Sequence, residues 1–259
     1  MSNLNVIVIS VPNSNRLNPL KAQLYLSNKF RVYIQAAEMF DKHASEFSPN
    51  YSKQKQIYGR HLSEGEIGCT ISHWTIYKNF RFSDAPCIIL EDDARIPNIT
   101  NFESLIEKFI RHNSSKNAVL SLLPWRQEMA HDKFRPKINR LVGRTPLTVG
   151  YVITPRAMQE LYLVNKDYAY LPDWPPSSTV FYTSVTGVIS HGDDETFSLI
   201  DVRGRFEVAR NSLLYRLRLR CNLRPLQHFE NFTEYLRALF LPGITWRLDV
   251  IRMKLFYFL

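Results

Sequence analysis

The chain has 259 residues, of which 45% are hydrophobic, 13% aromatic and 22% charged. This balance excludes a disordered, collagen-like or coiled-coil protein, and the length suits one large domain with a C-terminal addition. Its 33 Lys and Arg residues against 24 Asp and Glu residues give a formal net charge of +9, which indicates an acidic partner such as a phosphorylated substrate, an anionic lipid or a nucleic acid.

The beginning of the chain has the pattern of a βαβ unit. Residues 6–11 are a run of β-branched apolar residues, interrupted only by Ser10, that ends at Pro12, which is typical of a strand buried on both faces. A leucine-rich segment at 17–24 predicts a helix, and residues 31–35 predict a second strand. Residues 41–60 are polar without a clear period and are interpreted as a loop or a short helix. This order predicts a mainly parallel sheet with helices on its faces.

The alternation continues through the middle of the chain. Ser63 and Glu66 have the spacing of a capping box and predict a helix that runs to about residue 81. Residues 87–90 follow as a buried strand that ends at three consecutive acids. The later elements are predicted as a helix, two strands and a helix that starts with proline, at about 101–111, 118–123, 149–154 and from Pro155.

The three acids, Glu91, Asp92 and Asp93, are the strongest local signal for chemistry. Open α/β sheets bind ligands at the carboxyl ends of their strands, and these acids stand at such an end. Crowded carboxylates are costly unless a cation compensates them, and their hard oxygen donors suit Mg²⁺ or Mn²⁺. A divalent metal is therefore expected, and the alternative is a solvated turn. Neither G-x-G-x-x-G nor G-x-x-x-x-G-K-[ST] occurs, which argues against a nicotinamide-type Rossmann enzyme and a P-loop NTPase.

The cysteines and the apolar runs indicate the compartment. Cys69, Cys87 and Cys221 form no CxxC pair and are odd in number, so neither a disulfide framework nor a cysteine-based zinc site is indicated. No charged segment followed by an apolar run opens the chain, and the longest uncharged stretch, 174–190, is interrupted by two prolines. We therefore expect a cytoplasmic protein without a membrane span.

The positive charge is concentrated near the C-terminus. Residues 1–202 carry 22 basic and 20 acidic groups, whereas residues 203–259 carry 11 basic and 4 acidic groups. Arginines alternate with leucines up to Arg224, and residues 244–259 place apolar side chains at helical spacing beside basic ones. This pattern is typical of a helix that lies on an anionic membrane surface. The alternatives are packing on the rest of the protein and, more weakly, DNA binding.

Two segments carry a specific family resemblance. The stretch 65–73 reads GEIGCTISH, and the stretch 88–93, which follows it after one helix, reads IILEDD. Together they closely resemble glycosyltransferase family 25, the bacterial lipooligosaccharide-biosynthesis transferases, which are related to collagen galactosyltransferase domains. The resemblance covers roughly residues 4–202. The Pro-Asn-Ser stretch at 12–14 departs from the family's usual Asp- and Arg-rich segment, and no family signal continues beyond Gly204.

The resemblance implies a GT-A-like, Rossmann-type domain at 1–204, followed by a basic helical region at 205–259. It also implies a metal-dependent, inverting transferase that moves galactose or glucose from a UDP-sugar to a lipooligosaccharide or capsular glycan. With the basic C-terminal region, the expected location is the cytoplasmic face of the bacterial inner membrane, where a lipid-linked acceptor is found. No nucleic acid partner is expected.

The family's acidic motif carries over to Asp92 and Asp93, with Glu91 beside them, as the residues that hold the metal and the donor diphosphate. The resemblance makes His191 and Asp193 candidates for a further metal ligand, and an exposed turn is the alternative for the histidine. The other donor-binding candidates are Arg16, Glu66, Ser72 and His73. The alternatives are an ordinary surface residue for Arg16, a helix cap for Glu66 and, for His73, a side chain that ties the helix to the sheet.

Inversion in a single displacement requires a carboxylate that takes the proton of the acceptor hydroxyl. Asp173 is the predicted base, with an ordinary turn or cap acid as the alternative, and Trp174 is predicted to stack on the acceptor sugar. Glu195 and Asp194 are the alternates, and Glu66 is a further catalytic candidate.

Two other functions stay open at this point. A non-catalytic scaffold would bind membrane or nucleic acid through the arginine-rich region, but it has no need of adjacent acids at a strand end. A nucleotidyltransferase shares the metal–carboxylate chemistry, but it normally has a glycine-rich phosphate loop that this sequence lacks.

Overall fold

The computed structural model describes residues 4–43, 46–58, 60–123, 138–140, 148–172, 177–184 and 187–191. The chain divides into two units, residues 1–51 with 62–201 and residues 52–61 with 202–259. The second unit is described only around one helix, α2 (Tyr51–Tyr58), which is the short helix that the polar segment allowed. The basic region predicted at 205–259 lies outside the described residues.

The first unit is built on a mixed sheet of seven strands. The strands of the described residues, in chain order, are β1 (Leu4–Ser10), β2 (Phe30–Ala36), β3 (Cys87–Glu91), β4 (Ala94–Arg95), β5 (Ala118–Ser121), β6 (Ile138–Arg140), β7 (Gly150–Ile153), β8 (Val180–Ser184) and β9 (Ser190–His191). The order across the large sheet is β2-β1-β3-β7-β5-β8-β6, and β4 pairs with β9 in a separate sheet. Five strands of the large sheet share one direction, and β7 and β6 oppose it. The predicted α/β fold with a mainly parallel sheet is confirmed.

Helices α1 (Leu17–Leu24), α3 (Glu64–Phe80), α4 (Ile99–Asn113) and α5 (Pro155–Val164) flank this sheet. The predicted capping box of α3 is present, because Glu66 N donates to Ser63 Oγ and Ser63 N donates to Glu66 Oε2 at 2.8 Å. Helix α4 starts two residues before the predicted position because the side chain of Asn98 caps it. Pro155 opens α5 after the cap Thr154, as predicted.

The central strands are buried on both faces, which explains their uniformly apolar sequences. Alternate residues of β1 and β3, such as Val8 and Leu90, pack with α1 and α4 in one apolar cluster. Their neighbours, such as Ile7 and Ile89, pack with α3 and α5 in a second cluster. Each fully buried aliphatic side chain contributes about 1.5 to 3 kcal/mol to folding. The sheet is therefore the middle layer between two layers of helices.

The order of the strands fixes where a ligand site is expected. From β1 the chain adds β2 on one side and β3 on the other, so the strand order reverses between β1 and β3. The crevice outside the carboxyl ends of these two strands is where open α/β sheets bind ligands. None of the helices in the described part of the chain combines the length and the hydrophobicity that a transmembrane span requires.

Candidate active site

The acidic triplet lies at the crevice between β1 and β3. Ile9 of β1 pairs with Glu91, the last residue of β3, and the turn that follows holds Asp92 and Asp93. Asp92 is only 3% exposed and Asp93 is 9% exposed. The structure thus places two nearly buried carboxylates at the sheet edge where the sequence predicted a binding site.

Arg16 and Ser10 hold these carboxylates. Arg16 Nη2 lies 2.9 Å from Asp92 Oδ1, and Arg16 Nη1 lies 3.6 Å from Asp93 Oδ2. Ser10, the last residue of β1, donates its hydroxyl to Asp92 Oδ2 at 3.0 Å. The single positive charge of Arg16 therefore faces the two negative charges of Asp92 and Asp93.

The backbone of the acidic turn is fixed by Arg95. Its Nη1 donates to the carbonyl oxygens of Asp92 at 3.1 Å and of Ala94 at 2.9 Å. The small sheet of β4 and β9 pairs Ala94 with His191. The backbone of the predicted ligand His191 consequently lies beside the turn, although its side chain is outside the described part of the structure.

The side chain of Glu91 faces helix α3, whereas those of Asp92 and Asp93 face Arg16. Its Oε1 accepts a hydrogen bond from Thr148 Oγ1 at 2.8 Å and lies 3.6 Å from His73 Nε2. Cys69 and His73 are four residues apart on α3 and therefore project from the same side of the helix. One ligand atom from each of Cys69, His73 and Glu91 lies within 4.8 Å of the other two.

The buried hydroxyls of Tyr151 and Tyr77 orient the imidazole of His73. His73 Nδ1 is 2.7 Å from the hydroxyl of Tyr151, which is 2.8 Å from the hydroxyl of Tyr77. Burial raises the pKa of both tyrosines well above its ordinary value, so both hydroxyls stay protonated near neutral pH. His73 is 1% exposed, and its contacts tie α3 to β7.

The other two donor candidates on α3 are also buried. Ser72 Oγ donates to the carbonyl of Gly68 and accepts from the backbone N of Glu38, each at 2.8 Å. Gly68 allows this approach of helix and chain, because a Cβ there would lie 2.5 Å from the Glu38 carbonyl oxygen. Glu66 is 2% exposed and caps the helix. Donor binding by Ser72 and Glu66 stays a prediction.

The predicted acceptor site lies outside the described residues, which end before Asp173 and Trp174 and resume at Ser177. Glu195, Asp194 and Asp193 are outside them as well. Directly after this gap in the described residues, Ser178 Oγ donates to Glu160 Oε2 at 2.6 Å. Ser178 precedes the amino end of β8, which is at the opposite edge of the sheet from the acidic turn.

Three side chains of this region are not predicted from the sequence, namely Cys69, Ser10 and Thr148. Cys69 belongs to no CxxC pair, yet its i, i+4 spacing with His73 on a predicted helix is a recognisable signal for a shared site. Ser10 could be found by aligning the ends of the two predicted parallel strands. Thr148 carries no local signal, because only the pairing of β7 with β3 brings it beside Glu91.

Comparison with known proteins agrees with the two motifs and the fold. The family model of glycosyltransferase family 25 (LPS biosynthesis protein) matches residues 3–174, which is more than half of the chain. No curated protein matches the chain. On the strength of the family match and of the α/β fold with its acidic strand end, the chain belongs to glycosyltransferase family 25, the glycosyltransferases of lipopolysaccharide biosynthesis.

Proposed function

We propose that this glycosyltransferase moves a hexose, galactose or glucose, from a UDP-sugar to a lipooligosaccharide or capsular glycan. The observation that supports a nucleotide-diphosphate donor is the pair of nearly buried carboxylates, Asp92 and Asp93, at the point of strand reversal. A glycan acceptor follows from the family. The choice between the two hexoses depends on the orientation of one hydroxyl and on few contacts.

The donor set at the acidic turn fits Mg²⁺ or Mn²⁺. Asp92 and Asp93 offer hard carboxylate oxygens, and the single guanidinium of Arg16 faces both of them. Asp92 and Asp93 would hold the cation, with His191 as the candidate for a further ligand, and a bound cation would supply positive charge to the diphosphate leaving group. Arg16 has guanidinium donors that suit phosphate as well as carboxylate, so it is proposed to bind the donor from the same edge.

The proposed reaction inverts the anomeric centre. In a single displacement, a carboxylate removes the proton of the acceptor hydroxyl on the face opposite the leaving diphosphate. Asp173 is the proposed base and Trp174 the proposed platform for the acceptor sugar, with Glu195, Asp194 and Glu66 as alternates for the base. The family match extends to residue 174 and so includes the proposed base and platform.

The metal assignment is tested by binding of UDP. We expect Asp92→Asn and Asp93→Asn each to weaken Mn²⁺-dependent UDP binding about 100-fold, because each variant replaces an anionic oxygen ligand of the metal by a neutral amide. Isothermal titration with and without Mn²⁺ measures the effect, and sugar transfer should fall with it. Asp84→Asn is the matched control, since Asp84 is an exposed acid three residues before β3.

Full Mn²⁺-dependent UDP binding in Asp93→Asn would remove this residue from the metal site. Equal losses in Asp84→Asn and in the two site variants would show that the effect is one of general charge. In either case the proposed metal chemistry at this turn fails, whereas membership of the family is unaffected.

A further inference from the structure

A second group of ligand side chains lies next to the acidic turn, on the side of helix α3. It consists of Cys69 and His73 from one side of α3 and Glu91 from the end of β3, and we refer to it as the Cys-His-Glu cluster. Its three ligand atoms lie within 4.8 Å of one another, and His73 Nε2 is 3.6 Å from Glu91 Oε1. Asp92 and Asp93 belong to the other group, which Arg16 faces.

The hydrogen bonding of the two ring nitrogens of His73 suits a metal ligand. Its Nδ1 is hydrogen-bonded to the Tyr151 hydroxyl, whereas its buried Nε2 has no hydrogen-bond partner among the described residues. A buried polar atom without a hydrogen bond costs about 1 to 3 kcal/mol. Metal-binding histidines typically donate the proton of their other nitrogen to a neighbour, as Nδ1 does here when Tyr151 accepts. Nε2 then carries the lone pair that a metal requires, and it lies 3.6 Å from Glu91 Oε1.

Glu91 is oriented in the same manner. Thr148 donates its hydroxyl to Glu91 Oε1 at 2.8 Å, which fixes the carboxylate toward His73. Such a hydrogen bond from outside the ligand set orients a coordinating carboxylate. Cys69, in contrast to His73, is only partly buried.

We propose that Cys69, His73 and Glu91 bind Zn²⁺ or a similar divalent transition metal, at a site separate from the hard-cation site of Asp92 and Asp93. A set of thiolate, imidazole and carboxylate is typical of zinc and is unsuited to Mg²⁺. Tetrahedral zinc with these ligands requires about 3.3 to 3.6 Å between ligand atoms, so the cluster needs to close by roughly an ångström. Water completes a fourth position.

The ion would join helix α3 to the end of β3, directly before the acidic turn. Its binding releases the thiol proton of Cys69, because the thiolate is the ligand. The proposal does not depend on sugar transfer, since it concerns metal binding and its effect on folded stability.

The test titrates the metal-free full-length chain with Co²⁺, followed by competition with Zn²⁺. Cobalt bound to a thiolate gives a near-ultraviolet charge-transfer band, which oxygen ligands do not give. We expect one equivalent of Co²⁺ with this band, displacement by Zn²⁺, and a loss of Zn²⁺ affinity of at least about 100-fold in Cys69→Ala. Cys221→Ala is the matched control and should keep the band, as should Asp93→Asn, which alters only the other site.

The proposal is overturned if the chain gives no band, if Cys69→Ala keeps it, or if Asp93→Asn abolishes it. Should Cys69→Ala not fold by circular dichroism, alkylation of the unaltered chain decides the question. Zn²⁺ is then expected to protect Cys69 from iodoacetamide, as located by mass spectrometry, and equal reaction with and without Zn²⁺ contradicts the site. Cys87 does not interfere, because burial raises its pKa to about 12.

Discussion

Tyr151 joins helix α3 to the sheet through one hydroxyl. The side chain is fully buried, and its oxygen contacts both His73 and Tyr77. Since burial raises the pKa of this tyrosine, the hydroxyl remains a neutral hydrogen-bonding group over the ordinary pH range. A single oxygen atom thereby sets the position of the histidine beside Glu91.

We expect Tyr151→Phe to lower the free energy of unfolding by about 1 to 3 kcal/mol, because it leaves His73 Nδ1 buried without its partner. Urea denaturation measures the change. Tyr77→Phe is the matched control, and it should cost less because the bond between Tyr151 and His73 survives. If Tyr77→Phe lowered the free energy of unfolding more than Tyr151→Phe does, the hydrogen bond between the two tyrosines, and not the one to His73, would be the main stabilising contact.

The sequence identified the acidic residues but not their partners. Asp92 and Asp93 were predicted because apolar strands seldom end in adjacent carboxylates without a cation, and that cation is in part Arg16. The contact itself joins residues 76 positions apart in the chain. It depends on β1 pairing with β3, a long-range fact that no local pattern contains.

At the scale of elements, α3 is defined by its first turn. The capping box satisfies the backbone N of Glu66 and of Ser63, and it places two acids near the positive end of the helix. Glu66 therefore has a structural role that is independent of any chemistry with a sugar. A pair of substitutions separates the two roles.

Ser63→Ala should lower the free energy of unfolding by about 1 kcal/mol, the usual cost of losing an N-cap. Glu66→Gln should preserve stability, because a glutamine oxygen also accepts from Ser63 N. If Glu66 serves the reaction as proposed, Glu66→Gln loses transfer activity while its thermal unfolding stays unchanged. Unchanged transfer rates in Glu66→Gln would restrict this residue to capping.

The strands were predictable where packing is uniform on both faces. The apolar runs of β1, β3 and β7 specify buried strands, because a polar side chain buried there is costly unless it finds a hydrogen-bond partner, as Tyr151 does. Their directions were not predictable, since an apolar run reads the same whichever way the strand points. The two-residue strands β4 and β9 were missed because they are too short to show any period.

At the scale of the whole molecule, charge and family signal separate along the chain. The family model matches residues 3–174, and the excess of basic residues begins after residue 202. We propose that this basic region attaches the enzyme to an anionic membrane surface that carries its acceptor, since each basic residue near such a surface contributes about 1 kcal/mol.

A triple variant with Arg216, Arg218 and Arg220 changed to Gln should bind anionic vesicles roughly 100-fold more weakly in flotation assays, corresponding to about 3 kcal/mol. Transfer to a soluble acceptor should be unaffected. The matched control changes three exposed basic residues of the catalytic part, Arg31, Lys108 and Arg111, and should bind normally. Equal loss in both triple variants, or equal binding to neutral vesicles, would contradict attachment by this region.

The pairing of β4 with β9 has a consequence for synthesis of the protein. Ala94, directly after the acids, pairs with His191, so the two partners are separated by 97 positions in the chain. During translation this pairing cannot form until about a hundred further residues have been added, at about 5 to 20 residues per second. A nascent chain that stops at residue 174, where the family match ends, would carry every acid of the turn but lack β8 of the large sheet and the strand that borders the turn.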